Sequence, residues 1–223
     1  MNRRKLVRQW AVLLSLLALA GVGCTPGSLG WLLRDDKAKP EHPLPPKAGK
    51  KEVAVLVITS QAPGLGADPT FSTASRDLAV EIGSRLTADT RGSKTPIVVI
   101  DPARLERHKA TLGDWRGVNP AVIGQQLGAD YVIDANIDQM SIFQPEDAGE
   151  FYAGRANVSV TVYDTAKPEV AYQQYIHNSM QAKKGVSGLS PARYRAEFSK
   201  RLGTEIAWRH IPHDTSERIG KID

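Results

Sequence analysis

The spacing of apolar residues changes along this 223-residue chain, and the change predicts its order of helices and strands. Residues 53–58 form a continuous apolar run, typical of a strand buried on both faces. Leu78, Ile82 and Leu86 then recur every four positions, which predicts a helix with one apolar face. Residues 96–101 predict a second buried strand. The first half therefore predicts a β-α-β unit.

Two short helices and three alternating strands follow in the predicted order. One helix is expected from Pro102, and Asn119-Pro120 predicts another that ends at Gly128. Apolar and polar residues then alternate, which predicts strands with one buried face over residues 130–138, 151–164 and about 170–180. A last helix is expected to start at Ser190-Pro191.

This β-α-β-α-α-β-β-β-α order predicts an α/β (α+β) fold with a mixed sheet of about five strands. Because the last three strands alternate, we expect helices on one face of the sheet and a polar, exposed opposite face. The polar positions of these strands include Asp134, Asn136, Asp138, Arg155 and Asn157.

Residues 1–23 have the order of a secretory signal peptide. Four basic residues lie in the first eight positions, and an uncharged apolar run ends in Gly21-Val22-Gly23. Cys24, the only cysteine, comes next. This arrangement resembles the lipobox of bacterial lipoproteins, although Gly21 stands where that family usually has leucine. The resemblance implies cleavage before Cys24 and attachment of a lipid such as palmitate to it.

Two alternatives to the lipid anchor stay open. No charge falls between Arg8 and Arg34, a span long enough for an uncleaved transmembrane helix. A cleaved signal that leaves a free cysteine is the third possibility. All three readings place the following domain outside the cytoplasm or on a membrane.

The rest of the chain divides into three predicted parts. Residues 24–51 are read as the lipidated cysteine followed by a Pro-rich tether, since residues 34–51 contain four prolines and almost no large apolar side chain. Residues 52–208 are expected to form a single α/β domain. Residues 209–223 are expected to be a polar tail.

Charge and cysteine content exclude several functions. The formal net charge is +5, and the four basic residues of the signal reduce it to +1 when they are removed. No basic run with interleaved aromatic residues occurs in the rest of the chain, so nucleic-acid binding is not predicted. One cysteine permits neither an intramolecular disulfide nor a cysteine-based metal site.

Residues 123–133, Ile-Gly-Gln-Gln-Leu-Gly-Ala-Asp-Tyr-Val-Ile, form a short helix that leads directly into a strand. This segment resembles a group of bacterial envelope proteins: the amino-terminal domain of TolB, the lipoprotein CsgG and the LpoB-like activators of penicillin-binding proteins. The resemblance extends over about residues 52–182 and implies a non-enzymatic binding domain. The chain lacks the two long alternating insertions that form the membrane hairpins of a secretion pore, which favours an adaptor.

The candidate chemistry is sparse. Asp134 and Asp138 share a strand face, but about 13 Å separates their α-carbons, and paired catalytic carboxylates normally come from separate elements. His210 and His213 lack a third metal ligand, and Pro212 breaks any helix between them. Trp115 lies in a glycine-flanked loop, where it either folds onto the core or contacts a partner. No catalytic residue, metal or cofactor is predicted.

The sequence therefore favours a membrane-anchored lipoprotein of the cell envelope that faces the periplasm. Its domain would bind another envelope protein or a cell-wall component without catalysis. The alternative is an envelope hydrolase or polysaccharide-acting enzyme that uses carboxylates on the polar sheet face. Besides the lipidation site at Cys24, the candidate partner-binding residues are Asp134, Asn136, Asp138, Arg155 and Trp115.

Overall fold

The computed structural model describes residues 37–62, 64–65, 71, 73–142, 151–183 and 190–214. Cys24 and the signal segment lie outside them. Within them the main elements follow the predicted order: β1 (Val53–Gln61), α1 (Ala74–Thr90), β2 (Ile97–Val99), α2 (Pro102–Leu112), α3 (Pro120–Leu127), β3 (Tyr131–Ser141), β4 (Phe151–Asp164), β5 (Glu169–Lys183) and α4 (Pro191–Trp208). The other described elements are a short 3-10 helix, Trp115–Gly117, and the two-residue strands Lys37–Ala38 and His213–Asp214. The described residues from Ala38 onward belong to one compact unit.

The five main strands form one mixed sheet in the order β2-β1-β3-β4-β5. β1 runs parallel to both β2 and β3, with Val55 beside Val99 on one side and Tyr131 on the other. β3, β4 and β5 then pair antiparallel in sequence order. The predicted fold class, with βα units followed by an antiparallel meander, is confirmed.

Helices cover both faces of the sheet around β1, where the sequence predicted cover on one face only. α1 and α4 pack on the face of Val55 and Val57. Leu56 and Ile58 point the other way and contact a second apolar cluster that α2 and α3 complete. The strand needs this second layer because its continuous apolar run exposes hydrophobic side chains on both sides. The one-sided arrangement holds for the outer strands, where the valines of β4 face in and polar residues alternate with them.

Close helix packing depends on two glycines. A Cβ atom at Gly124 of α3 would lie 2.3 Å from Cγ2 of Val132, so only glycine lets this helix approach β3. A Cβ atom at Gly203 of α4 would lie 2.8 Å from the Cβ of Glu81 on α1. Both helices therefore contact their neighbours through backbone, which brings their apolar side chains fully into the core.

Residues 38–50 lie against the domain, although the sequence suggested a spacer. The backbone N–H of His42 donates to the carbonyl oxygen of Arg209 at 2.8 Å, and the His42 ring stacks on Tyr172 with centroids 3.5 Å apart. The Tyr131 hydroxyl donates to the carbonyl oxygen of Pro45 at 3.0 Å. The segment therefore docks through backbone carbonyls that accept hydrogen bonds and through Leu44, which packs against the core.

Two lysines of this docked segment pair with carboxylates of the domain. Lys47 Nζ lies 2.5 Å from Asp164 Oδ2 and 4.3 Å from the centre of the Tyr131 ring. Lys50 Nζ lies 2.6 Å from Oδ1 of Asp130, whose side chain is only 5% exposed. Because Asp130 is buried, its charge depends on this partner far more than a surface carboxylate would.

The predicted polar tail also differs from the structure at its first residues. His210 and Ile211 are buried. The Nδ1–H of His210 donates to the carbonyl oxygen of His42 at 2.9 Å. Burial lowers the pKa of His210 to about 4, so its ring is neutral at pH 7. The imidazole therefore helps to hold the docked segment and is not placed on the surface.

We expect the double substitution of Lys47 and Lys50 by alanine to lower the free energy of unfolding by about 1–3 kcal/mol, because it leaves Asp130 and Asp164 without their cations. Substitution of Lys39 and Lys51, which are exposed on the same segment, removes the same charge and is the control. Urea unfolding of both variants measures the difference. Equal stability of the two would show that the segment is a spacer.

Candidate functional site

The polar side chains of β3, β4 and β5 form one continuous surface, here called the polar face. Alternation sends them opposite the valines of β4, and the strand register sets them side by side. Asp134 lies beside Thr161, Asn136 beside Ser159, and Asn157 beside His177. The members are Asp134, Asn136, Arg155, Asn157, Ser159, Thr161, Gln173, Tyr175, His177 and Ser179.

A β-bulge changes the position of Asp138. The register between β3 and β4 shifts between Ile137 and Gln139, so Asp138 has no opposite residue. Its Oδ1 accepts a hydrogen bond from Asn136 Nδ2 at 2.6 Å and a long one from Ser159 Oγ at 3.5 Å. The bulge thus turns this carboxylate toward its neighbours on the polar face.

Two short hydrogen-bonded rows cross the polar face. In the first, Ser60 Oγ of β1 donates to Asn136 Oδ1 at 2.9 Å, and Asn136 in turn donates to Asp138. In the second, Asn157 Nδ2 donates to Gln139 Oε1 at 2.9 Å, and Asn157 Oδ1 lies 2.7 Å from His177 Nδ1. These contacts limit the rotamers of the side chains involved, so the surface is pre-organised.

An open cleft of about 820 Å³ lies where the bulge meets the end of β1. The cleft includes Asp138 and Arg155 from the predicted site. The other described lining residues mix polar and apolar groups: Ala62, Gly64, Leu65, Phe71, Gln139, Met140, Ser141, Ala156 and Asn157. Its size suits a small ligand or a protruding side chain of a partner.

Asp134 lies apart from this cleft. Burial raises its pKa to about 6, and the positive charge of Lys109 on α2 partly opposes that rise. Burial, with a smaller contribution from Asp134, also raises the pKa of Tyr163 on β4. A predicted partner-contacting carboxylate is therefore half-covered between α2 and the sheet.

Trp115 packs against the domain rather than projecting from a free loop. It is partly buried against the cluster of α2 and α3. The ammonium group of Lys109 lies 4.1 Å from the centre of its ring and 2.9 Å from Glu106 Oε1. Of the two possibilities that the sequence left open, the structure favours packing onto the core.

The structure thus groups three predicted residues, Asn136, Asp138 and Arg155, around the bulge and cleft. Sequence reasoning missed Ser60, Gln139 and His177. Ser60 follows the apolar run of β1, and its only signal was its place at the end of that strand. Gln139 joins the site because of the bulge, and His177 through the pairing of β4 with β5.

In the described part of the chain, no group of three or more His, Cys, Asp or Glu side chains is placed to hold a metal ion. None of the described helices has both the length and the apolar character needed to cross a bilayer.

We expect Asp134→Asn to raise the free energy of unfolding at pH 7 by up to about 3 kcal/mol. A pKa raised by about two units means that the charged carboxylate destabilises the folded protein by this amount, and asparagine carries no charge. The folded state binds the proton more tightly than the unfolded state. Wild-type stability should therefore fall as pH rises from about 4 to about 6, and the variant should lack this fall.

Urea unfolding between pH 3.5 and 7.5 measures this difference. Glu52→Gln, at an exposed position, is the control and should change little at any pH. Parallel pH profiles of wild type and Asp134→Asn would mean that the Asp134 carboxylate is solvated in the folded protein.

No family model matches the sequence, and no curated protein sequence matches it. Solved structures that match include bacterial lipoproteins. Lipoprotein GNA1162 from Neisseria meningitidis is 13% identical, with 70% of this chain and 98% of that chain covered and a TM-score of 0.41. The LpoB C-terminal domain from Escherichia coli is 13% identical over 57% and 83%, with a TM-score of 0.32.

A PelC dodecamer from Paraburkholderia phytofirmans also matches, at 11% identity, with 72% of this chain and 89% of that chain covered and a TM-score of 0.38. LpoB belongs to the group of envelope proteins that residues 123–133, with their Leu-Gly-Ala-Asp segment at 127–130, resemble. The resemblance to TolB and CsgG stays a prediction. At these identities and TM-scores the likenesses transfer no function to this chain.

Proposed function

We propose that this chain is an envelope lipoprotein, anchored through Cys24 and facing the periplasm, whose domain captures another envelope protein or a cell-wall component without catalysis. The observation that carries the proposal is the pre-organised polar face. It combines two hydrogen-bonded rows with an open cleft that holds Asp138 and Arg155. Surfaces of this kind bind with a small loss of side-chain entropy.

The anchor is supported by the order of residues 1–24. Basic residues, an apolar run and two small residues lead directly to Cys24. A lipid at this position would hold the domain close to the membrane, because residues 38–50 dock on the domain and only residues 25–37 separate them from Cys24 in the sequence. The partner is therefore expected near the same membrane surface.

A hydrolase remains the second candidate because the cleft has the size of a substrate site and contains the Asp138 carboxylate. Acid–base hydrolysis of a glycosidic bond normally needs two carboxyl groups at a defined separation. The described lining of the cleft supplies one. Asp134, whose pKa is raised, does not line it. Binding therefore fits the described residues better than this chemistry.

Cys24→Ser tests the anchor. We expect the wild type to partition into detergent at the mass of a processed, acylated chain, because the signal is removed and a lipid is attached. The variant should keep its signal and lack the acyl mass, as measured by mass spectrometry of the detergent phase. A wild type with the full unprocessed mass would instead assign residues 9–33 to a membrane helix.

Substitution of both Asp138 and Arg155 by alanine tests the binding surface. We expect capture of cell-wall fragments or envelope proteins to weaken at least tenfold, because the described lining of the cleft loses its acidic and its basic side chain while the fold keeps its core. Substitution of Glu52 and Arg107, which are exposed elsewhere, removes one acid and one base as a control.

Quantitative pull-down from an envelope extract, followed by titration of the captured component, measures the effect. Equal capture by the cleft variant and its control would place the binding surface elsewhere. Turnover of a cell-wall polysaccharide that is lost in the same variant would support the hydrolase.

A further inference from the structure

β5 lies at the edge of the sheet and is unusually open for an edge strand. It has 15 residues, and among the described elements its hydrogen-bonded neighbour is β4 alone. By contrast, β2 at the opposite edge has three residues. Proteins usually protect a long edge with a proline, a bulge or charged side chains, because its free N–H and C=O groups can pair with another strand.

None of these protective features occurs in the central part of β5. Its pairing with β4 runs without a shift from Tyr172 to Lys183. Residues 170–182 contain no proline, Lys, Arg, Asp or Glu. Two of the four large apolar side chains that are exposed in the described part of the chain, Val170 and Tyr175, belong to this strand.

The hydrogen bonds of Tyr194 reveal which backbone groups face the free edge. The Gly154 N–H donates to the Tyr194 hydroxyl at 2.6 Å, and that hydroxyl donates to the Met180 carbonyl oxygen at 2.5 Å. The paired residues Gly154 and Met180 therefore point their backbone N–H and C=O groups toward each other's strand. In an antiparallel strand, successive residues point these groups to alternate sides. Residues 173, 175, 177 and 179 of β5 therefore point their N–H and C=O groups away from β4, toward the free edge.

We propose that β5 pairs antiparallel with β5 of a second copy of this chain, with Ile176 on the two-fold axis. The sequence supports a second copy as the partner. The strand begins with the acidic residue Glu169 and ends with the basic residue Lys183, and in this antiparallel register each Glu169 position lies opposite the Lys183 position of the other copy. In this register Tyr175 lies opposite His177 of the partner subunit, and Gln173 lies opposite Ser179 of the partner subunit. All four contacting positions turn their backbone groups outward, as pairing requires.

The dimer would join the two sheets into one ten-stranded sheet with a doubled polar face. This inference does not depend on the proposed capture function, which uses the cleft next to β5, where Arg155 lies beside Ser179 and Asn157 beside His177. It depends only on the free edge and its register. Exposed Tyr175 would then be covered by the partner, which explains a large aromatic side chain on an otherwise polar surface.

Paired charge variants of the full chain, purified in a mild detergent, test the proposal. Gln173→Lys with Ser179→Glu places opposite charges across the interface, whereas Gln173→Glu with Ser179→Glu places like charges there. The two proteins differ at one residue, and positions 173 and 179 lie far apart within a single strand. We expect the like-charge protein to dissociate at least tenfold more readily.

Sedimentation equilibrium measures the dissociation constants, and thermal unfolding confirms that each variant folds. Tyr175→Pro, which removes one outward N–H and leaves the bonds to β4 in place, should give a monomer. A monomeric wild type at 100 µM would overturn the proposal. So would a dimer whose stability is the same in both charge variants, since its interface would then lie outside β5.

Discussion

The hydrogen bonds of Asp130 connect three parts of this domain that are distant in the sequence. Its Oδ2 accepts from the Ala54 N–H at 2.9 Å, and its own N–H donates to the Ala54 carbonyl at 2.7 Å. Its carbonyl oxygen accepts from Thr165, and its Oδ1 pairs with Lys50. One buried residue thus connects the start of β1, the turn between β4 and β5, and the docked segment.

This arrangement explains why a charged residue, Asp130, lies buried three positions after the end of the short helix α3. Gly128 ends that helix with a φ of 80°, which lets the chain reverse within two residues. Gly124 brings the helix close enough to the sheet for Val132 to pack beneath it. Asp130 immediately precedes β3, which runs parallel to β1 from Tyr131 onward. The Leu-Gly-Ala-Asp segment is therefore a structural corner, and its polar group is satisfied inside the protein rather than offered to a ligand.

The proposed binding surface follows from the same sheet. Among the described elements, no helix covers the polar face of the antiparallel half, so its alternate side chains are available to partners or solvent. A single extra residue at Asp138 disrupts the regular ladder and produces the cleft beside Arg155. The parallel half is covered on both faces, which withdraws Asp134 and Trp115 from that surface. The proposed binding surface and the two-sided helix packing therefore lie in different halves of one sheet.

Local periodicity determined the elements of this protein. The every-fourth-residue spacing of Leu78, Ile82 and Leu86 and the alternation of β4 predicted both the elements and their buried sides, because helices and strands impose these periods on any amphipathic segment. The N-cap at Asn119 followed from its sequence in the same way, and its side chain accepts a hydrogen bond from Ala121 N. These features depend on neighbours in the sequence.

Contacts between distant segments were decided only by the tertiary structure. Lys47 and Lys50 looked like solvated charges of a linker, since their carboxylate partners lie far along the chain at Asp164 and Asp130. The burial of Asp134 depends on where α2 crosses the sheet, and the position of Asp138 depends on a register shift. Composition and spacing do not encode such pairings, because they arise when separate elements pack together. The sequence by itself therefore determined the order and the faces of the elements, and three-dimensional packing decided which polar groups remain exposed.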